Sequence, residues 1–353
     1  MRNERRKTSG LAVVLMALVL AGCAGPSTKR VAVNAEAQAR EAKAQQRMAI
    51  QSEFALAVRL WTVGYAVLKG AAAQCGEAVR PSLGLAAMSR QSVANSAQHE
   101  AIAEALRLDD NLRVMAVYNN SAAANAGIQV GDIVVASSAA AVLTPKGETR
   151  AEAAMRLRAP VTLQVLRNGQ PISLTIAAAP TCDYPLSVDP SSGVNAYADG
   201  SSIKVTKGMM RLATEDRELA LVVGHELAHD TMGHITKKTQ NAVLGTILDV
   251  AAALYGVNTG GTFGSAGAAA YSQDFEAEAD YVGLYYLALA GYDTTGAAEF
   301  WRRMAIENPA SIKGSFTASH PSTPERYLAL EAVSAEIHHK QDIGAALTPD
   351  RAK

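Results

Sequence analysis

Polar and apolar positions divide the chain into stretches of different character. Basic residues (Arg2, Arg5, Arg6, Lys7) precede an uncharged apolar run of eleven, residues 11–21. A bilayer span needs about 20 such residues, so residues 1–22 read as an export signal rather than a membrane helix. Past a polar tether, residues 34–72 are rich in Ala, Glu, Gln, Arg and Lys, with no proline and no glycine before Gly64, which predicts a long helix. Its second half (Phe54, Leu56, Val58, Leu60, Trp61, Val63, Tyr65, Leu68) is apolar without a sustained heptad. Packing on its own chain is therefore expected, not a coiled coil. From about residue 80 to 180 the pattern turns to strands: residues 112–117, residues 133–135, then Val161, Leu163 and Val165, with Asn168-Gly169 as a tight turn before Ile172, Leu174 and Ile176. Short helices are predicted at residues 121–125, stopped by Gly127, and at 150–158. Helical patterns dominate from residue 214 on. Thr214 is the expected cap of the first such helix and Gly233 its stop; another runs from about 272 to 289. Residues 242–256 are apolar apart from Thr246 and Asp249, half a membrane span, and read as a buried or lid helix.

The expected organisation is a signal (1–22), a tether and long helix (23–79), a small β-rich module (80–180), a mainly helical domain (181–340) and a polar tail (341–353), an α+β fold overall. With 49% apolar and 19% charged residues among 353, the composition is globular and excludes a largely disordered chain. Outside the signal, 29 basic residues meet 32 acidic ones. That balance, with 5% aromatics, gives neither the basic surface nor the stacking platforms of a nucleic-acid binder.

The apolar run ends in Leu20-Ala21-Gly22-Cys23, which resembles a bacterial lipobox. The resemblance implies lipidation of Cys23 and attachment to the membrane through several acyl chains. Ala24 rather than Asp after it resembles an outer-membrane sorting signal, so a cell-envelope lipoprotein on the periplasmic face of the outer membrane is expected. Export leaves Cys75 and Cys182 in an oxidising compartment, where an even count favours a disulfide between them.

Chemistry concentrates in His225-Glu226-Leu227-Ala228-His229. Four residues advance a helix by about 400°, so the two imidazoles lie one turn apart on one face and can share a metal. Glu226, one residue on, is placed to act on water. A catalytic metal needs a third protein ligand, and Glu276 and Asp280 share one face of the helix that begins near Ser272. One can ligate while the other hydrogen-bonds a ligand imidazole. Glu278 points about 160° away and reads as a solvated charge. His234 would face the far side of a continuing helix, and His338 and His339 read as solvated in a polar tail. Two imidazoles, a carboxylate and a water suit Zn2+, one per chain.

In order, Asn195-Ala196, Gly200 to Met209, the His-Glu-Leu-Ala-His segment, Glu276 to Asp280, Gly291-Tyr292-Asp293, Phe300-Trp301, Ser319-His320-Pro321 and Arg326 resemble metallopeptidase family 48, which includes the CAAX prenyl endopeptidases, HtpX and BepA. The resemblance covers roughly residues 180–335. It implies a gluzincin-type fold, Glu276 as third ligand supported by Asp280, and peptide hydrolysis with Glu226 as general base. It leaves His320 three roles: stabilising an oxyanion, filling the open metal position at rest, or packing. The strand near residues 203–205 is expected to pair with extended substrate, and residues 256–267 are either a flap or a plain loop. The 126–133 run Ala-Gly-Ile-Gln-Val-Gly-Asp-Ile resembles a PDZ domain of bacterial proteases, with Ser82-Leu83-Gly84-Leu85 as a candidate carboxylate loop; a β-rich spacer that binds nothing is the other reading. Two functions follow. One is a tethered zinc endopeptidase acting on misfolded or misassembled envelope proteins, its PDZ-like groove binding peptides. The other is a non-catalytic chaperone or assembly lipoprotein using the same cleft.

Overall fold

Asn34 opens the long helix α1 (Ala35–Gly70), its Oδ1 accepting the backbone N–H groups of Glu36 at 2.8 Å and Ala37 at 3.3 Å. The computed structural model describes residues 28–29, 31–137, 160–255, 257–262, 272–307 and 324–350. The signal, Cys23, the predicted helix at 150–158, half of the 256–267 loop and His320 lie outside the described residues. Residues 1–46 and 47–353 form two compact units, and the second holds everything that follows.

The apolar end of α1 packs on its own chain: Leu60, Val63, Val67 and Leu68 enter the main core. Trp61 Nε1 donates to the Leu186 carbonyl at 3.0 Å, and Arg59 binds the Ala213 carbonyl at 2.8 Å and Asp216 at 2.9 Å. A two-stranded antiparallel ribbon, β1 (Val79–Ser82) with β7 (Ala179–Cys182), then begins and ends the β-rich stretch, with Cys75 and Cys182 bonded at its foot. Between its strands lies a five-stranded sheet of order β2-β3-β4-β5-β6, made of Leu85–Met88, Leu112–Val117, Ile133–Ser137, Val161–Arg167 and Gln170–Ile176. Helix α2 (His99–Leu106) and the short α3 (Ala122–Asn125) lie along this stretch. Leu83, Val114, Ile128, Leu163, Val165 and Ile176 form a core distinct from the main one. Asn168 and Gly169 both take positive φ, as a two-residue hairpin turn requires. Asp132 is buried, receives Arg167 at 2.7 and 2.8 Å, and is held below the ordinary carboxylate pKa chiefly by that contact.

A second sheet orders β8 (Leu186–Asp189), β10 (Ile203–Thr206) and β9 (Ala196–Ala198), with β10 parallel to β8 and antiparallel to β9. Strand β10 is therefore central, with both edges paired. The expectation that residues 203–205 pair with substrate is corrected: of the strands on that side of the sheet, β9 is the outer one. Helices α4 (Lys207–Leu212), α5 (Asp216–Thr231), α6 (His234–Leu254), α7 (Ser272–Leu289), α8 (Ala297–Glu307) and α9 (Pro324–Asp342) complete the described fold.

Helix α5 is capped by Glu215, not Thr214; Glu215 and Glu218 cap reciprocally, the Glu218 carboxylate accepting the Glu215 N–H at 3.2 Å. Gly233 ends the helix in the left-handed region at φ +67°. From Glu218 to Asp230 every residue of α5 is buried. Its densest contact is with α7, where the backbones cross at two glycines. A Cβ at Gly224 would lie 2.8 Å from the Gly283 carbonyl oxygen, and one at Gly283 would lie 2.9 Å from the His225 nitrogen.

Two further expectations change. Of the two readings of residues 242–256, a buried or a lid helix, the buried one is corrected: in helix α6 Val243, Leu244, Ile247, Leu248, Val250 and Leu254 are each more than half exposed. No described helix is long and apolar enough to cross a membrane. The described part of the tail, residues 341–350, is exposed at most positions, as is His339, although Lys340 reaches Asp350 and the Thr348 carbonyl at 3.0 Å and the Asp350 N–H meets the Tyr281 hydroxyl at 2.9 Å. His338, likewise read as solvated, meets Asp293 at 3.2 Å.

The Cys75–Cys182 bond spans a sequence separation of 107 and closes the β-rich stretch at its base. Replacing both cysteines by serine is expected to lower unfolding free energy by up to about 4–5 kcal/mol on the chain-entropy model, read by urea denaturation of the non-reduced proteins. Equal midpoints and slopes for variant and parent would contradict a constraining role.

Candidate metal centre

His225 and His229 sit one turn apart on buried α5, with His225 Nε2 and His229 Nε2 3.2 Å apart. Helix α7 crosses that face and delivers Glu276. Its Oε2 lies 3.4 Å from His225 Nε2 and its Oε1 3.4 Å from His229 Nε2. The three residues are the cluster of metal-ligating type found among the described residues, with ligand atoms within 4.8 Å of one another. Donors about 2.0–2.1 Å from a tetrahedral ion are separated by about 3.3 Å, which the 3.2 Å spacing of the two imidazole nitrogens matches, while Glu276 turns a different oxygen to each ring. The donor set thus fits one Zn2+ on geometry as well as chemistry.

The surrounding charges fit too. Glu226, Glu276 and Asp280 are all at most 5% exposed, and Arg326 is the buried cation among them at 8%. Three carboxylates against one guanidinium leave a buried excess of negative charge, which a protonated His225 offsets in part without metal and a dication would offset with the imidazoles neutral.

Asp280, one turn beyond Glu276, places Oδ1 3.0 Å from His225 Nδ1. A carboxylate at Nδ1 leaves Nε2 facing the Glu276 side and holds the ring orientation. Arg326 from α9 grips Asp280 through Nε at 2.7 Å and Nη2 at 2.8 Å, and its Nη1 stands 3.4 Å from Glu276. Burial opposes the ionised form of Asp280, yet Arg326 and His225 hold it below the usual carboxylate range. Burial likewise pulls His225 down, but the Asp280 and Glu276 carboxylates outweigh it and push the imidazole up to about 10. His229, with less carboxylate contact to offset burial, is lowered. Trp301 of α8 packs edge-on against the His225 ring at 5.1 Å and lies under the Arg326 guanidinium.

Two expectations are overturned at His229. His234 is buried, with Nδ1 3.0 Å from His229 Nδ1, and its Nε2 meets Glu278 Oε2 at 2.7 Å. Glu278, half-exposed, pairs with His234 and is not a free surface charge. The far-side placement of His234 assumed a continuous helix, whereas the left-handed turn at Gly233 starts a new helix and turns His234 back toward His229. The glycine itself was the available signal. Arg326 and Trp301 were visible in sequence only as parts of a resemblance. At the end of α5, Asp230 accepts the Gly200 N–H at 2.8 Å, tying the β9–β10 turn to the ligand helix; burial raises its pKa to about 7.

Adding a methyl group at Gly283 is expected to push α7 off α5, carry Glu276 away from the imidazoles, and weaken zinc binding by at least 10-fold. Asp280→Asn, which keeps the shape but loses the carboxylate at His225 Nδ1, is expected to weaken it by about 10–100-fold. Chelator competition measures both, and unchanged affinity in Gly283→Ala would contradict the role given to the crossing.

Residues 171–334 match the family model for Peptidase family M48. Metalloprotease LoiP of Escherichia coli K12 is 30% identical over 172 residues, covering 45% of this chain and 61% of LoiP. Mitochondrial metalloendopeptidase OMA1 of Schizosaccharomyces pombe is 29% identical over 154 residues, 42% of this chain and 46% of the relative. A putative beta-barrel assembly-enhancing protease of Vibrio cholerae is 29% identical over 149 residues, 38% and 31% respectively. In each case the chain spans less than two thirds of the relative's length. The matched region contains every residue of the metal centre and only the last strands of the β-rich stretch.

Proposed function

We propose, with residues 171–334 forming a peptidase family M48 domain, that this chain is a zinc metalloendopeptidase tethered to the cell envelope and acting on misfolded or misassembled proteins there. The observation that carries the reading is the convergence of His225 Nε2, His229 Nε2 and the Glu276 carboxylate, ligand atoms within 4.8 Å of one another, beside a buried Glu226. Bound zinc polarises the scissile carbonyl and acidifies water.

The remaining work falls to the chain. Glu226 takes a proton from the attacking water on its carboxylate and returns it to the leaving amine, a general acid–base role worth about 10²–10⁴-fold. Asp280 and Arg326 hold His225 and Glu276 in place, so no reorganisation is required when substrate arrives. Strand β9 is the outer strand on its side of the β8–β10–β9 sheet and packs on the ligand helix, which supports it as the edge to which extended substrate adds. An extended backbone recognised this way needs no particular side chains, which suits unfolded clients.

Residues 80–180 serve in this reading as a PDZ-like peptide-binding module. The hairpin at Asn168-Gly169 and the positive φ of Gly127 and Gly131 support it. The lipobox-like Leu20-Ala21-Gly22-Cys23 supports a lipid anchor on Cys23 and placement at the periplasmic face of the outer membrane. That relatives include proteases named for beta-barrel assembly supports an envelope setting.

Glu226→Gln is the test, because it separates a hydrolase from a client-holding lipoprotein. The variant is expected to bind zinc as the parent does and to cleave an unfolded polypeptide at least 100-fold more slowly. Parent-level cleavage by the zinc-loaded variant would overturn the assignment of Glu226. Undiminished cellular function without cleavage would favour the chaperone reading.

A further inference from the structure

We propose that His234 and Glu278 form a positioning relay that fixes the tautomer and ring orientation of His229. The inference rests on the metal-site part of the reading above and not on peptide hydrolysis.

An imidazole that ligates through Nε2 must carry its proton on Nδ1 and needs an acceptor there. For His225 the group beside Nδ1 is Asp280, a carboxylate on α7 whose Oδ1 stands 3.0 Å away. At His229 the neighbour of Nδ1 is a second imidazole, with His234 Nδ1 3.0 Å away. Two ring nitrogens facing each other share one proton, so one must be bare. Glu278 decides which. Its carboxylate only accepts, and it stands 2.7 Å from His234 Nε2. His234 therefore donates Nε2–H to Glu278, keeps Nδ1 bare, and accepts Nδ1–H from His229. His229 Nε2 is then left with its lone pair toward His225 and Glu276.

The relay is held from several sides. His234 is 2% exposed and its ring stacks on Phe275, centroids 4.7 Å apart and planes 18° from parallel. The left-handed Gly233 returns the chain to His229 within five residues. Glu278 lies two residues after Glu276 on α7. Consequently one helix supplies the third ligand and the carboxylates behind both imidazoles, Asp280 directly and Glu278 through His234. Any slip of α7 would disturb all three at once.

Zinc affinity by chelator competition is the main readout. His234→Ala and Glu278→Ala are each expected to weaken binding by about 10–100-fold. Glu278→Gln keeps an acceptor oxygen for His234 Nε2–H and is expected to stay within about threefold of the parent. Glu278 is half-exposed, so its variants keep the test open even where His234→Ala fails to fold. In the zinc-loaded parent, 15N NMR of the imidazoles is expected to show His234 protonated at Nε2 and bare at Nδ1. Parent-like affinity in folded Glu278→Ala overturns the relay, as does a His234 ring protonated at Nδ1. A parent that binds no zinc overturns the metal-site reading and the relay with it. Loss of peptidase activity alone, with affinity and tautomer as stated, leaves the relay standing and counts against the hydrolase reading.

Discussion

Two glycines hold this architecture to its purpose. Where α5 and α7 cross, Gly224 and Gly283 let the backbones approach so closely that either Cβ would strike the facing main chain. Helices with ordinary side chains at a crossing sit about 8–10 Å apart, and a carboxylate one to two turns away would then fall short of a histidine pair on the partner helix. Close approach turns two helices into one site. Burial of α5 along its length follows from the same contact, because a helix that carries ligands on one face and packs backbone on another has little surface left for solvent.

Electrostatics then explains the density of partners behind the ligands. Removing Glu226, Glu276 and Asp280 from water is costly unless opposite charge and hydrogen bonds accompany them. Arg326 supplies one positive charge with a two-pronged grip on Asp280, and its guanidinium lies over the Trp301 ring. The remaining negative charge suits a dication held by neutral imidazoles. Such an arrangement is expensive as a purely structural core, where apolar side chains of similar volume would serve as well or better. Its persistence in a buried helix pair makes sense as metal chemistry.

Much of the site was legible because ligand spacing is a property of helix geometry. His225 and His229, and again Glu276 and Asp280, lie four apart, and periodicity alone places each pair on one face. The long helix, the Asn168-Gly169 hairpin and the stop at Gly233 were legible from local propensity and turn chemistry. Tertiary consequences were not. His234 was misplaced because angular extrapolation was carried across a glycine that resets the helix direction. Strand β10 shows as an apolar run, but only sheet order reveals that both its edges are taken and that β9 lies outside it. The exposed face of α6 contradicts the ordinary expectation that an apolar helix is buried, since hydropathy reports preference and not what the rest of the chain covers. The contact of the tail with α7 depends on Tyr281 meeting Asp350, a residue distant in sequence.

A zinc-edge anomalous difference map from crystals of the zinc-loaded chain would address the central claim at its source. The account predicts one strong peak about 2.0–2.2 Å from His225 Nε2, His229 Nε2 and an oxygen of Glu276. A map with no peak there, or with the ion bound by other residues and Glu276 held apart, would contradict it.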